Sequence, residues 1–225
     1  MPSLFSLLVA LSLAGATSPD PDRTPPPSTA TAPRPGPLDL WIQHAGTGQA
    51  VRLRVVDSDG RLDYAALVSL RALFREAGTG RDHPVHWRLA VVLARLSSAM
   101  PNRPIVLVSG YRTHSRSARN SRHLRGRAAD IRVPGVPARA VVAWLRRNVP
   151  GTGVGYYPNS TCVHVDVRDR DAFWVDYAGP GRPPCYDRAP ARAFTTKLAD
   201  RLDEAEARRT RCRRRPRRTP HPARR

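Results

Sequence analysis

SRHLRGRAAD, residues 121–130, carries His123 and Asp130 seven positions apart on either side of Gly126. On a helix such a spacing separates the two side chains by two turns, too far for both to reach one ion. A loop bearing His123 that turns back through Gly126 onto a strand bearing Asp130 brings them together. The run Ala128-Ala129-Asp130-Ile131 reads as that strand. Its distant counterpart is CVHVDV, residues 162–167, where alternation sends Cys162, His164 and Asp166 to one face and Val163, Val165 and Val167 to the other. Three valines in a row of alternate positions make a buried stripe, so His164 and Asp166 stand side by side on a face that is free to line a cleft.

Two imidazoles and a carboxylate with room for one more ligand form the donor set of a catalytic zinc ion. His123, Asp130 and His164 are therefore the candidate metal ligands, and Asp166 is the candidate general base and proton donor. The order His-Val-Asp leaves the parts of His164 and Asp166 exchangeable on sequence alone. Cys162 lies on the same face and is a further possible ligand, or a partner for Cys185 in a disulfide. The competing reading of the same residues is structural: Asp130 and Asp166 pairing with some of the many arginines.

Outward from these stretches, the chain divides by composition. Residues 4–13, LFSLLVALSL, are apolar but too short to span a bilayer, and Ala14-Gly15-Ala16 has the small-residue pattern of a cleavage site. Residues 1–16 thus read as a signal peptide, although no Lys or Arg precedes the apolar run. Residues 17–37 are rich in Pro, Thr, Ser and Ala and make an extended spacer. The net charge of +20 comes almost wholly from arginine, Lys197 being the one lysine. Ten of the arginines lie in residues 208–225, a segment without an acid, so about half of the excess charge belongs to this end of the chain, where a tail covering 210–225 cannot fold alone. Such a tail can adhere to anionic envelope polymers or lipid headgroups. No specific nucleic-acid partner is expected from charge of this kind.

Between spacer and tail the patterning is that of a mixed domain. Residues 38–44 and 50–56 alternate as strands, and Asp57-Ser58-Asp59-Gly60 reads as a turn. Apolar residues at helical spacing mark helices over 64–76, 85–100 and 138–147, with a short apolar strand at 105–108 between the second and third. Gly153 to Tyr157 reads as a strand that returns as the His164 strand. A last helix is expected over 191–209. The fold class is α+β, with a small antiparallel sheet carrying the site and helices behind it.

Several blocks together resemble one family. SGYRT at 109–113, NSRHLRGRAADIRVPGV at 120–136, GVGYYPNSTCVHVDV at 153–167 and Trp174 are similar, in that order, to the bacterial YcbK-type murein endopeptidases. These belong to the LAS zinc metallopeptidases, the group of lysostaphin, the D-alanyl-D-alanine metallopeptidases and sonic hedgehog. The resemblance implies a hedgehog-like domain over residues 38–190, zinc as cofactor and peptidoglycan as partner. It implies a role for Arg112 in steadying the oxyanion and for Ser121 in contacting substrate. Tyr156, Tyr157 and Trp174 are candidate aromatic walls of a substrate cleft, with the core as the alternative place for at least one of the tyrosines. The function expected is that of an exported, zinc-dependent endopeptidase or carboxypeptidase acting in the periplasm or cell envelope. The alternative is a non-catalytic wall-binding module on the same scaffold.

Overall fold

The structure is a computed structural model that describes residues 36–114, 120–179, 182–186 and 202. The proposed signal peptide, nearly all of the spacer, the arginine-rich tail and the 191–209 helix other than Leu202 lie outside the described residues. Leu202 is helical and only 2% exposed, packed with the core.

Alternating residues make β1 (Leu38–His44) and β2 (Ala50–Val56), an antiparallel pair. The turn after β2 is held by the Asp57 carboxylate, whose Oδ1 accepts from the backbone N–H groups of Asp59 and Arg61 at 2.9 and 2.8 Å. Two helices follow, α1 (Tyr64–Leu73) and α2 (Trp87–Ala99). Asp63 caps α1 by accepting from Ala65 N–H, and the His86 ring caps α2 by accepting from Arg88 N–H. The chain continues through β3 (Ile105–Ser109), a 3-10 turn (Arg122–Arg125), β4 (Ala128–Arg132), α3 (Ala138–Asn148), β5 (Thr152–Tyr156), β6 (Val163–Val167) and β7 (Ala172–Val175). None of the described helices is long and apolar enough to cross a membrane.

The sheet is larger than the small antiparallel one expected. Its seven strands run β2-β1-β3-β4-β6-β5-β7, and the β1/β3 and β5/β7 pairings are parallel. The four-residue strand β7 has too short a pattern to be read beforehand. All three helices pack on one face: α1 on β2, α2 on β1 and β6, α3 on β5 and β6. Between them lies the core, where Leu89, Leu93 and Leu96 of α2 and Val142 and Leu145 of α3 meet Ile131, Val163 and Val165 of the sheet. Burying each such side chain is worth about 1.5–3 kcal/mol, which pins which residues face the helices. The residues between them must then face the other way.

Gly126 ends the 3-10 turn in the left-handed region, at φ 59°, and a Cβ there would meet the Pro84 carbonyl oxygen at 2.2 Å. His86 N–H donates to the Gly126 carbonyl at 2.9 Å, tying this turn to the start of α2. Gly126→Ala is therefore expected to destabilise the protein by at least about 1–2 kcal/mol, from the backbone conformation alone. Thermal unfolding checks it, and an unchanged midpoint contradicts this account.

Candidate metal centre

Asp130 lies opposite His164 across the antiparallel β4/β6 pair, and Ala128 lies opposite Asp166. Cross-strand partners share a face, so the strand parity that sends the valines to the helices sends Asp130, His164 and Asp166 to the other side. His123 comes from the 3-10 turn that the Gly126 bend folds back against β4. The three side chains meet: His164 Nδ1 is 3.0 Å from Asp130 Oδ1 and 3.2 Å from His123 Nε2. His123 Nε2 is 3.5 Å from the same carboxylate oxygen. All three are nearly inaccessible, at 2%, 9% and 8% exposure for His123, Asp130 and His164.

The outer contacts of the two rings decide what faces the centre. His123 Nδ1 lies 2.6 Å from the Gly110 carbonyl oxygen, an acceptor only, so this nitrogen carries the proton. His164 Nε2 lies 3.1 Å from Asp166 Oδ2, again an acceptor. In the neutral tautomers these contacts select, His123 Nε2 and His164 Nδ1 each present a lone pair inward, toward the Asp130 oxygen. Three electron-rich atoms within 4.8 Å of one another, each oriented by a partner behind it, are the donor set and supporting shell of a divalent ion with nitrogen and oxygen ligands. The residues fit a metal.

Electrostatics follow from the same contacts. Burial pushes the Asp130 carboxyl up, but hydrogen bonds with His123 and His164 outweigh it and hold the group far below the usual carboxylate range. Burial likewise raises Asp166, and bonds from His164 and Arg168 reverse this, bringing it down to about 2. Burial dominates at His123, lowering its pKa. At His164 burial is outweighed by Asp130 and Asp166, and the pKa is raised.

The other residues singled out in the sequence fall in different places. Arg112 donates through Nε to Ser109 Oγ at 2.7 Å and through Nη2 to Asp130 Oδ2, with its side chain one-third exposed. A bulge in β3 puts Ser109 opposite Asp130 and supplies that hydroxyl. Ser121 stands half-buried at the start of the 3-10 turn, with no capping hydrogen bond from its side chain. The Trp174 ring lies 5.1 Å from the His164 ring and flanks the centre.

Tyr156 is 1% exposed and buried in the core, opposite Val163. Its parity is that of the valines. The tyrosine nearer the site is Tyr157, whose hydroxyl burial and the nearby Asp130 push well above the ordinary pKa. Cys162 is a free thiol beside Ser160 Oγ at 3.1 Å, outside the group of three, and its pKa is raised by burial. Cys185 is disulfide-bonded, so the two do not pair with each other.

Sequence reasoning missed Arg122 and Arg168, whose Nε atoms lie 3.2 and 2.7 Å from Asp166 Oδ1. It also missed the reason for two glycines in β5. Gly153 and Gly155 face Asp166 and His164 across the β5/β6 ladder, so β5 places no side chain on the site face. A Cβ at Gly155 would meet the Trp174 ring at 2.7 Å, so the indole lies flat over that backbone. Alternate glycines within a strand were the available signal of a close approach.

The family model for Peptidase M15 matches residues 66–166, which include His123, Asp130, His164 and Asp166. The peptidoglycan L,D-endopeptidase MepK of Escherichia coli K12 is 30% identical over 142 residues, 58% of this chain and 77% of that protein. A probable peptidoglycan L,D-endopeptidase MepK of Haemophilus influenzae is 31% identical over 115 residues, 46% of this chain and 61% of that one. With its three converging ligand atoms inside the matched stretch, the chain belongs to the peptidase M15 family, in the murein endopeptidase group that the MepK proteins represent.

Proposed function

We propose that this protein is an exported zinc peptidase that hydrolyses amide bonds in peptidoglycan stem peptides or their crosslinks. The observation that carries the reading is the meeting of His123 Nε2, Asp130 Oδ1 and His164 Nδ1, each lone pair turned inward by a partner behind it. A zinc ion held there supplies Lewis-acid polarisation of the scissile carbonyl and activation of water. The hedgehog-like assignment of the fold belongs to the same proposal, as do export through residues 1–16 and adhesion of the basic tail to anionic envelope polymers.

The chain's own residues supply the rest. Arg112 is anchored by Ser109 and by the outer oxygen of Asp130, and its partly exposed guanidinium is placed to hold the carbonyl oxygen as negative charge develops on it. Ser121, with a hydroxyl not committed to capping, contacts the peptide at the rim. Trp174 and Tyr157 form an aromatic wall beside the centre, in place of the wall expected from Tyr156. Asp166 does not act as the base in this reading. At 1% exposure, with both oxygens engaged, it is out of reach of a reacting water, and its part is to keep the proton on His164 Nε2.

Asp130→Ala removes the oxygen ligand and is expected to lower hydrolysis of purified sacculi on the order of 100-fold or more, with loss of bound zinc. Muropeptide products followed by mass, with and without chelator, test this; full turnover by the variant or in chelator overturns the reading. Zinc affinity is also expected to depend on pH. His164 must be neutral at Nδ1 to bind the ion, and its pKa is raised by Asp130 and Asp166, so protons compete increasingly as pH falls through that raised value. Affinity should fall about tenfold per pH unit below it for one displaced proton, and rise to a plateau above it, in a competition titration.

A further inference from the structure

We infer that Arg168, lying across the bare backbone of Gly153, is a positioning residue of the metal centre: it clamps Asp166 against the outer nitrogen of His164 and so aims Nδ1 at the ion. The inference rests on the proposed zinc site and extends it to a residue two positions beyond Asp166. Arg168 Nε donates to Asp166 Oδ1 at 2.7 Å and Nη2 donates to Oδ2, the oxygen that also meets His164 Nε2 at 3.1 Å. This is the forked contact that a planar guanidinium makes with a carboxylate and that an ammonium cannot make. It fixes the plane of the carboxylate, and that plane sets where the shared oxygen stands relative to the imidazole.

The route by which Arg168 arrives is written into the sheet. Residue 168 follows Asp166 by two and keeps its face, while Gly153 stands opposite Asp166 across the ladder. With no side chain at 153, the guanidinium folds down over β5. A Cβ there would lie 2.3 Å from Nη2 and 2.5 Å from Cζ, so any other residue at 153 displaces the arginine from this position. The indole of Trp174, 5.6 Å from Cζ, closes the other side and itself lies over Gly155 next to the His164 ring. Arg122 Nε lies 3.2 Å from Oδ1, farther than the 2.7 Å at which Arg168 Nε donates to the same oxygen.

The test uses the full chain and three variants, Arg168→Met, Arg168→Lys and Gly153→Ala. Nitrogen-15 spectra of the histidine rings read the His164 tautomer, transfer of zinc to a chelator reads retention, and muropeptide turnover reads kcat and KM. In the wild type His164 is expected to show a single Nε2–H tautomer. In Arg168→Met that signature is lost or averaged, zinc leaves about 10–100-fold faster and kcat falls with KM little changed. Lysine restores the charge without the fork and rescues only in part. Gly153→Ala, where it folds, reproduces the methionine variant although the arginine is still present. A methionine variant that keeps the wild-type tautomer and zinc release rate overturns the inference. If the wild type neither retains zinc nor cuts muropeptides, the proposed function fails, and the tautomer comparison still decides what Arg168 does to His164.

Discussion

The pairing register of β4 against β6 is the constraint on which the rest of this structure depends. With Asp130 opposite His164, a carboxylate oxygen and an imidazole nitrogen come within 3.0 Å of each other across the ladder. A slip of one residue would send His164 and Asp166 into the helix-packed core and the valines to the site. What forbids the slip is apolar. Val163, Val165 and Val167, with Ala129 and Ile131, are buried beneath α2 and α3, and each large side chain among them is worth about 1.5–3 kcal/mol of burial. The precision of the polar face is therefore enforced from the opposite side of the sheet.

That polar face carries two buried carboxylates, which desolvation alone would not tolerate. Each is paired in the same way: a histidine on the inner side and an arginine on the outer, Arg112 for Asp130 and Arg168 for Asp166. The resulting row, arginine, aspartate, histidine, aspartate, arginine, runs from the end of β3 to the end of β6 with His164 bridging the two carboxylates. Such a network is costly when incomplete and rigid when complete, because each member uses the others to satisfy its remaining hydrogen bonds. It fixes the His164 tautomer through Asp166, while the Gly110 carbonyl fixes that of His123.

Much of this was legible in the sequence because it is local. The two-residue period of CVHVDV, the bend at Gly126 and the helical spacing in 64–76, 85–100 and 138–147 each reflect forces acting over a few residues, and the structure agrees with them to within the helix ends. The same parity, carried across the turn from β6 to β5, would have separated Tyr156 from Tyr157, since Tyr156 pairs with Val163 and shares its face. What the sequence did not carry was the neighbour relationship between distant strands. The β1/β3 and β5/β7 parallel pairings, the extent of the sheet and the place of Arg168 over Gly153 all depend on partners fixed by the whole fold. No local spacing encodes which strand a bare glycine will face. The three-cysteine count also left pairing open, because which of them meet depends on the tertiary course of the chain.

Among the described residues no second layer of helices covers the site face, yet β5 and β6 are buried along their whole length. Their cover is made by side chains that lie down: the Arg168 guanidinium over Gly153 and the Trp174 indole over Gly155, reaching across β5 from the strands on either side of it. Among the described residues the centre is more deeply covered on one flank than on the other. On the β5 side Asp166 is 1% exposed, whereas on the β3 side the Arg112 side chain is one-third exposed and Ser121 half-buried. Among the described residues the β3 side, with Arg112 and Ser121, is thus the more accessible approach to the centre. Arg112 and Ser121 stand on the more exposed side, and the groups that orient His164 stand on the buried one. That division is what allows one sheet face to be both rigid and accessible.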